Sequence, residues 1–132
     1  MSDPDVIDAL IARVAAQCPM LATVDEAWFA EPIDHFDTQT PAALIYLAED
    51  AAAGEPETIR PTQRVRLTYG IWLVTKRAGF RAERKALREC LMGWEPSPEH
   101  EPMAYRGGQT ADIRGELIWW REFWALDTWL RG

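Results

Sequence analysis

Cysteine and histidine are scarce in this chain, with two of each in 132 residues, and the scarcity removes whole classes of chemistry. No HExxH, paired Cys-x-x-Cys, phosphate-cradling glycine loop or Gly-x-Ser-x-Gly turn occurs anywhere in it. The sequence therefore offers no catalytic residue, and neither a metal nor a cofactor is expected. His35 and His100 both sit among acids, Asp34 and Asp37 in one case and Glu99 and Glu101 in the other. Such clusters are metal-ligand material, against the plainer reading of exposed loop histidines. Cys18 and Cys90 each fall among apolar residues at helical spacing, which suits buried free thiols. A disulfide between them requires their Cβ atoms to converge. The longest apolar run, residues 42–48, is far short of the roughly 20 residues that span a bilayer. The opening Met1-Ser2-Asp3-Pro4-Asp5 is acidic where an export signal is basic, so neither a membrane partner nor export is expected.

Apolar residues make up 48% and charged residues 27%, enough to bury one core and consistent with a single domain over residues 1–132. Charge is divided into blocks. Residues 1–57 hold twelve acids against Arg13 alone, and residues 58–88 hold nine bases against Glu83 alone. The remainder is acidic again, and the total is −7. The basic block has the composition of a phosphate footprint, but an acidic chain is repelled by DNA at long range. Two readings of the blocks stand: they neutralise each other within one subunit, or the basic block of one copy docks on the acidic block of the next.

Val6, Ile7, Leu10, Ile11, Val14 and Cys18 recur at steps of three and four, predicting a helix that opens at Asp3-Pro4 and ends near Gln17. A short strand is expected within residues 21–29, a polar loop over 31–40, and a strand covered on both faces over 42–47. The acidic, turn-rich residues 49–57 read as a hairpin tip. The clearest strand is 63–75, where Val65, Leu67, Tyr69, Ile71 and Leu73 alternate. Its other face ends apolar at Trp72 and Val74 and needs cover. Gly70 marks a bulge or a close backbone approach. A second helix over 80–92 turns Ala82, Ala86, Leu87, Cys90 and Leu91 inward and Arg81, Arg84, Lys85 and Arg88 outward. A brief strand over 103–106 precedes a turn at Gly107-Gly108. The terminal strand, 115–130, carries Trp119, Trp120, Phe123, Trp124 and Trp129. Two apolar faces on a terminal strand suggest that one meets another subunit, or that both belong to the chain's own core. The fold expected is α+β, a mixed and mostly antiparallel sheet packed against two helices.

The segment Leu91-Met92-Gly93-Trp94-Glu95-Pro96 closes the second helix. Gly93 can take the positive φ that ends it, Trp94 can fold back on its apolar face, and Pro96 stops it resuming. With the preceding Pro-Ala-Ala-aliphatic strand at 41–47 and the long strand at 64–75, this motif resembles the tail terminator family of Mu-like and related tailed bacteriophages. The resemblance implies a virion protein, assembled in the host cytoplasm, that forms a homo-oligomeric ring, expected to be a hexamer, at the head-proximal end of the tail. It implies partners in the tail tube protein and a head completion or connector protein, with genomic DNA passing through the lumen without specific binding. Subunit-interface candidates are then Trp72, Arg81, Arg84, Arg88, Trp119, Trp120, Trp124 and Trp129. Lumen candidates are Asp34, Asp37, Glu49, Asp50, Glu55 and Glu57. A head completion or minor tail protein is the alternative role.

Overall fold

The computed structural model describes residues 3–132, so Met1 and Ser2 of the acidic opening lie outside the described residues. Seven elements follow one another: α1 (Ile7–Gln17), β1 (Thr23–Glu26), β2 (Ala42–Ala52), β3 (Thr62–Lys76), α2 (Phe80–Leu91), β4 (Ala104–Arg114) and β5 (Leu117–Arg131). The strands form one sheet in the order β1-β2-β3-β5-β4. Only the β1–β2 pair is parallel; the other three pairs are antiparallel. The expected α+β class and mixed sheet are thus observed.

Alternation along β3 and β5 divides the core in two, because successive side chains leave opposite faces. On one face Leu67, Tyr69, Ile71 and Leu73 join Trp124 and Leu126 beneath Leu10 and Val14 of α1 and Leu87, Cys90 and Leu91 of α2. On the other, Trp72, Val74 and Trp119 form a smaller core with Ala27, Ala42 and Leu44, roofed by Phe29 and Phe36. The loop read from sequence as polar therefore supplies, through Phe36, part of the cover that Trp72 and Val74 required, and Phe29 just before it supplies the rest. Gly70 allows a close approach: a Cβ there would lie 2.4 Å from the Tyr46 ring.

Three boundaries differ from the sequence reading, each because a tertiary contact outweighs a local signal. Helix α1 starts at Ile7, not at Asp3-Pro4. The preceding residues are held by other partners, since Tyr69 Oη donates to Asp5 Oδ1 (2.5 Å), Val6 N–H donates to Tyr69 Oη (2.9 Å), and the Pro4 carbonyl meets His100 Nε2 (2.9 Å). Strand β2 continues through Glu49 and Asp50, which read as loop, because β3 pairs with it past a bulge between Leu47 and Glu49. Strand β4 likewise runs through Gly107 and Gly108, which pair with Phe123 and Glu122 of β5 past a bulge between Tyr105 and Gly107, and the turn comes at Gly115, with φ +63. In α2 the outward residues differ as well: Ala82 is exposed, whereas Arg84 and Arg88 are half-buried against the sheet.

The helix-closing motif behaves as its residues dictate. Gly93 has φ +76, and its N–H donates to the Met103 carbonyl at 3.0 Å. Trp94 packs on the larger core with the Arg13 guanidinium 5.7 Å from its ring. Pro96 lies half-buried in the loop beyond. Nearby, Cys18 and Cys90 are buried free thiols brought together from the two helices. The Cys18 thiol and then Arg13 lower Cys90 to about 7, while the Cys18 thiol is pushed up.

Candidate functional site

Where the charged and aromatic side chains lie decides which surfaces this chain can offer. Trp72, Trp119 and Trp124 are each at most 1% exposed. This corrects their reading as interface residues, because a side chain without free surface has none to give to another copy. Trp119 is gripped edge-on by Phe36 (4.8 Å), Trp72 (5.6 Å) and Phe29 (6.1 Å). Trp124 meets Tyr105 edge-on at 5.1 Å. Trp120 is half-buried beneath Phe80 and Arg84. Of the terminal-strand indoles only Trp129 is exposed, at 38%.

Arg84 and Arg88 also depart from the sequence reading. Arg84 lies over the Trp120 ring at 4.7 Å and Arg88 over Tyr105 at 4.6 Å. Arg88 Nη2 donates to Tyr105 Oη (2.9 Å), and its Nε lies 4.0 Å from Glu122. Glu122, fully buried, accepts from the indole N–H of Trp120 (2.9 Å) and of Trp124 (2.8 Å). The acid that faces Arg88 therefore belongs to the same chain. Arg81, at the start of α2, remains exposed.

A second ionic cluster ties β3 to β5. Asp127 accepts from Arg66 Nε (2.8 Å) and from Arg64 Nη2 (2.9 Å), while Arg64 also meets Glu101 at 2.7 Å. The Arg66 bond, followed by that from Arg64, holds the Asp127 carboxyl below the usual carboxylate range. A depressed folded-state value means the contribution is complete above the unfolded carboxylate range of about 4 and is lost as pH falls through the folded value. Asp127→Asn should therefore cost on the order of 1–3 kcal/mol at neutral pH. It should also flatten the loss of stability between about pH 5 and pH 2, read by urea unfolding across that range; an unaltered acid limb would assign the limb to other carboxylates.

These pairings decide how the charge blocks are used. Among the described residues, the ion pairs of the basic block go to Glu89, Glu101, Glu122 and Asp127, all from the last third of the chain. Of the acidic block only Asp34 is ion-paired among the described residues, with Arg114 at 3.3 Å. The two large blocks do not neutralise each other. Asp34, Asp37, Glu49, Asp50, Glu55 and Glu57 are all exposed, with Glu49 and Asp50 on β2 and the others in loops. Lys76, Arg77 and Arg81, at the turn from β3 into α2, carry no ion pair among the described residues. The described residues include no group of three or more His, Cys, Asp or Glu side chains able to hold a metal. His100 is half-buried and joins Ser97 (2.7 Å) to the Pro4 carbonyl, so its role here is to fix the N-terminal segment.

Sequence reasoning missed three features. Trp28 is 85% exposed beside a groove lined in part by Asp5, Glu26, Tyr46 and Leu47. Its signal was an indole in a weak, acid-flanked segment. Glu122 was legible as an acid at an inward position between Trp120 and Trp124. Arg121, which donates to the Ala30 carbonyl (2.7 Å) and lies over Trp72 (4.7 Å), left no signal, since its partner is a loop carbonyl.

A family model described as phage tail terminator protein matches residues 1–131. No curated protein matches the chain.

Proposed function

Since this chain belongs to the phage tail terminator protein family, and so to the structural proteins of a phage tail, we propose that it closes the head-proximal end of the tail tube as a homo-oligomeric ring of six copies. There it stops polymerisation of the tube protein and presents a surface to a head completion or connector protein. The observation that carries this reading is the match over nearly the whole chain. The unneutralised charge blocks support it, because a closed ring joins one patch on each copy to a different patch on the next. Trp129 and Arg81 are the interface candidates with free surface. The exposed acids Asp34, Asp37, Glu49, Asp50, Glu55 and Glu57 suit a lumen through which DNA passes, since like charge keeps phosphates from adhering.

Electron micrographs of particles made without the protein test this. Tubes of uncontrolled length, unattached to heads, are the expected result. Tubes of normal length that merely fail to join heads would instead assign the chain to head completion.

A further inference from the structure

Two sulfur atoms meet inside the larger core, and the proposed function uses neither. Cys18 caps the C-terminal end of α1, and Cys90 lies in the last turn of α2. A reciprocal pair of contacts clasps the helices at this point: Arg13 Nε donates to the Cys90 carbonyl at 3.2 Å, and the Cys90 thiol donates to the Arg13 carbonyl at 3.8 Å. Across the same seam the Cys18 thiol donates to the Cys90 sulfur. Both side chains belong to the core that holds Leu21, Leu87 and Leu91. Sulfurs joined by a hydrogen bond and carried on clasped helix ends have converged, which is the condition a disulfide sets on its two side chains.

The two thiols are not equivalent. Cys18 is 1% exposed and Cys90 5%, so only a small reagent reaches either, and Cys90 first. The titratable groups acting on Cys90 among the described residues are Cys18, whose S–H it accepts, and the Arg13 guanidinium. Its neighbours on α2 are turned elsewhere, Glu89 to Lys85 and Arg88 to Glu122. The hydrogen bond from Cys18, followed by the charge of Arg13, favours the Cys90 thiolate. The same hydrogen bond, followed by burial, keeps Cys18 a thiol. A thiolate beside a thiol is the arrangement of an attacking cysteine and its resolving partner.

We infer that Cys18 and Cys90 are a paired oxidation site, which hydrogen peroxide closes to a disulfide within one subunit. The Cys90 thiolate attacks one peroxide oxygen; an S–O bond forms, the O–O bond breaks, and the hydroxide that leaves is protonated to water. Cys18 then loses its proton and attacks the Cys90 sulfur; the S–S bond forms, the S–O bond breaks, and a second water departs. The two cysteines lose two electrons and two protons in all, and the peroxide is reduced to two waters. The new bond fastens α1 to α2 and closes a loop over residues 18–90, which takes in β1, β2 and β3. A closed loop of that length restricts the unfolded chain. The consequence is a subunit whose stability rises in an oxidising medium, whether or not copies associate.

The test treats the full, reduced chain with hydrogen peroxide. A digest under non-reducing conditions should yield one linked pair of peptides, carrying Cys18 and Cys90. The midpoint of thermal unfolding should rise by on the order of 5–10 °C, and dithiothreitol should return it. Two single variants assign the roles. In Cys18→Ala, dimedone should label Cys90 as a sulfenic acid, with a pH profile moved upward from the parent's because the S–H donor is gone; in Cys90→Ala, Cys18 should stay unlabelled. The digest and the unfolding need only the parent chain, so a variant that fails to fold leaves the test standing. Oxidation of Met20 and Met92, both exposed, confirms that the reagent reached the protein. Thiols that stay free while these methionines oxidise would overturn the inference, as would disulfides between copies, sulfinic acids on unlinked cysteines, or a linked chain that melts no higher. Labelling of Cys18 in Cys90→Ala as fast as of Cys90 in Cys18→Ala would overturn the assignment of attacker and partner.

Discussion

Trp119→Ala should remove a large part of the stability of the isolated chain. The indole is 1% exposed and is the common partner of Phe29, Phe36 and Trp72. Removing it opens a cavity beneath the 27–40 loop and strips the smaller core of its centre. Truncations of this kind cost about 3–5 kcal/mol, against a total of about 5–15 kcal/mol for a typical domain. Trp129→Ala, at a side chain 38% exposed near the end of β5, should cost no more than about 1 kcal/mol. Urea unfolding followed by far-ultraviolet circular dichroism measures both. Near-equal losses would mean that the outer face is not a core of the subunit. The contrast matters for function, because only a substitution that spares folding can report on assembly.

Glu122→Ala is expected to be comparably severe for an electrostatic reason. The carboxylate is fully buried, accepts from two indole N–H groups and is the only acid within ion-pair reach of Arg88 among the described residues. Alanine leaves two indole donors without their acceptor and a half-buried guanidinium without its counter-charge. Breaking a buried pair from one side costs about 3–5 kcal/mol. Glu122→Gln keeps an acceptor oxygen and should lose less. Arg88→Met combined with Glu122→Leu should recover part of the loss of Glu122→Ala, since replacing a whole buried pair by apolar groups is often close to neutral. Thermal unfolding of these chains gives the coupling directly; strict additivity of the Arg88 and Glu122 substitutions would show that the two do not act as a pair. Charge reversal at Arg84 or Arg88 should accordingly damage the subunit before it affects assembly.

These expectations separate surface from core in a way the order of residues could not. A tryptophan on a strand with two apolar faces has the same local pattern whether the second face is covered by a loop of its own chain or by a sister copy. Phe29 and Phe36 decide the matter here, the first at the end of a segment read as a short strand and the second within a loop whose composition reads as polar. Trp28 shows the converse: nothing in its local sequence separates it from Phe29, yet one indole stands in solvent and its neighbour roofs a core. The charge blocks behave similarly. Their existence is plain from counting, but the partners of Arg64, Arg66 and Arg88 lie in β5 and in the loop before β4, brought near only by the pairing of β5 with β3 and β4.

By itself the sequence determined the class of the fold, the alternation of β3, the position of α2, its termination at Gly93 and the resemblance that family membership bears out. All of these follow from local periodicity, from the φ angles that glycine and proline permit, or from a motif continuous along the chain. The tertiary structure alone decided the lengths of β2 and β4, the start of α1, which indoles are consumed by the core, and which charges of the described residues are ion-paired. Those depend on contacts between residues remote in sequence, where a backbone pairing or a buried carboxylate outweighs the preference of any short segment.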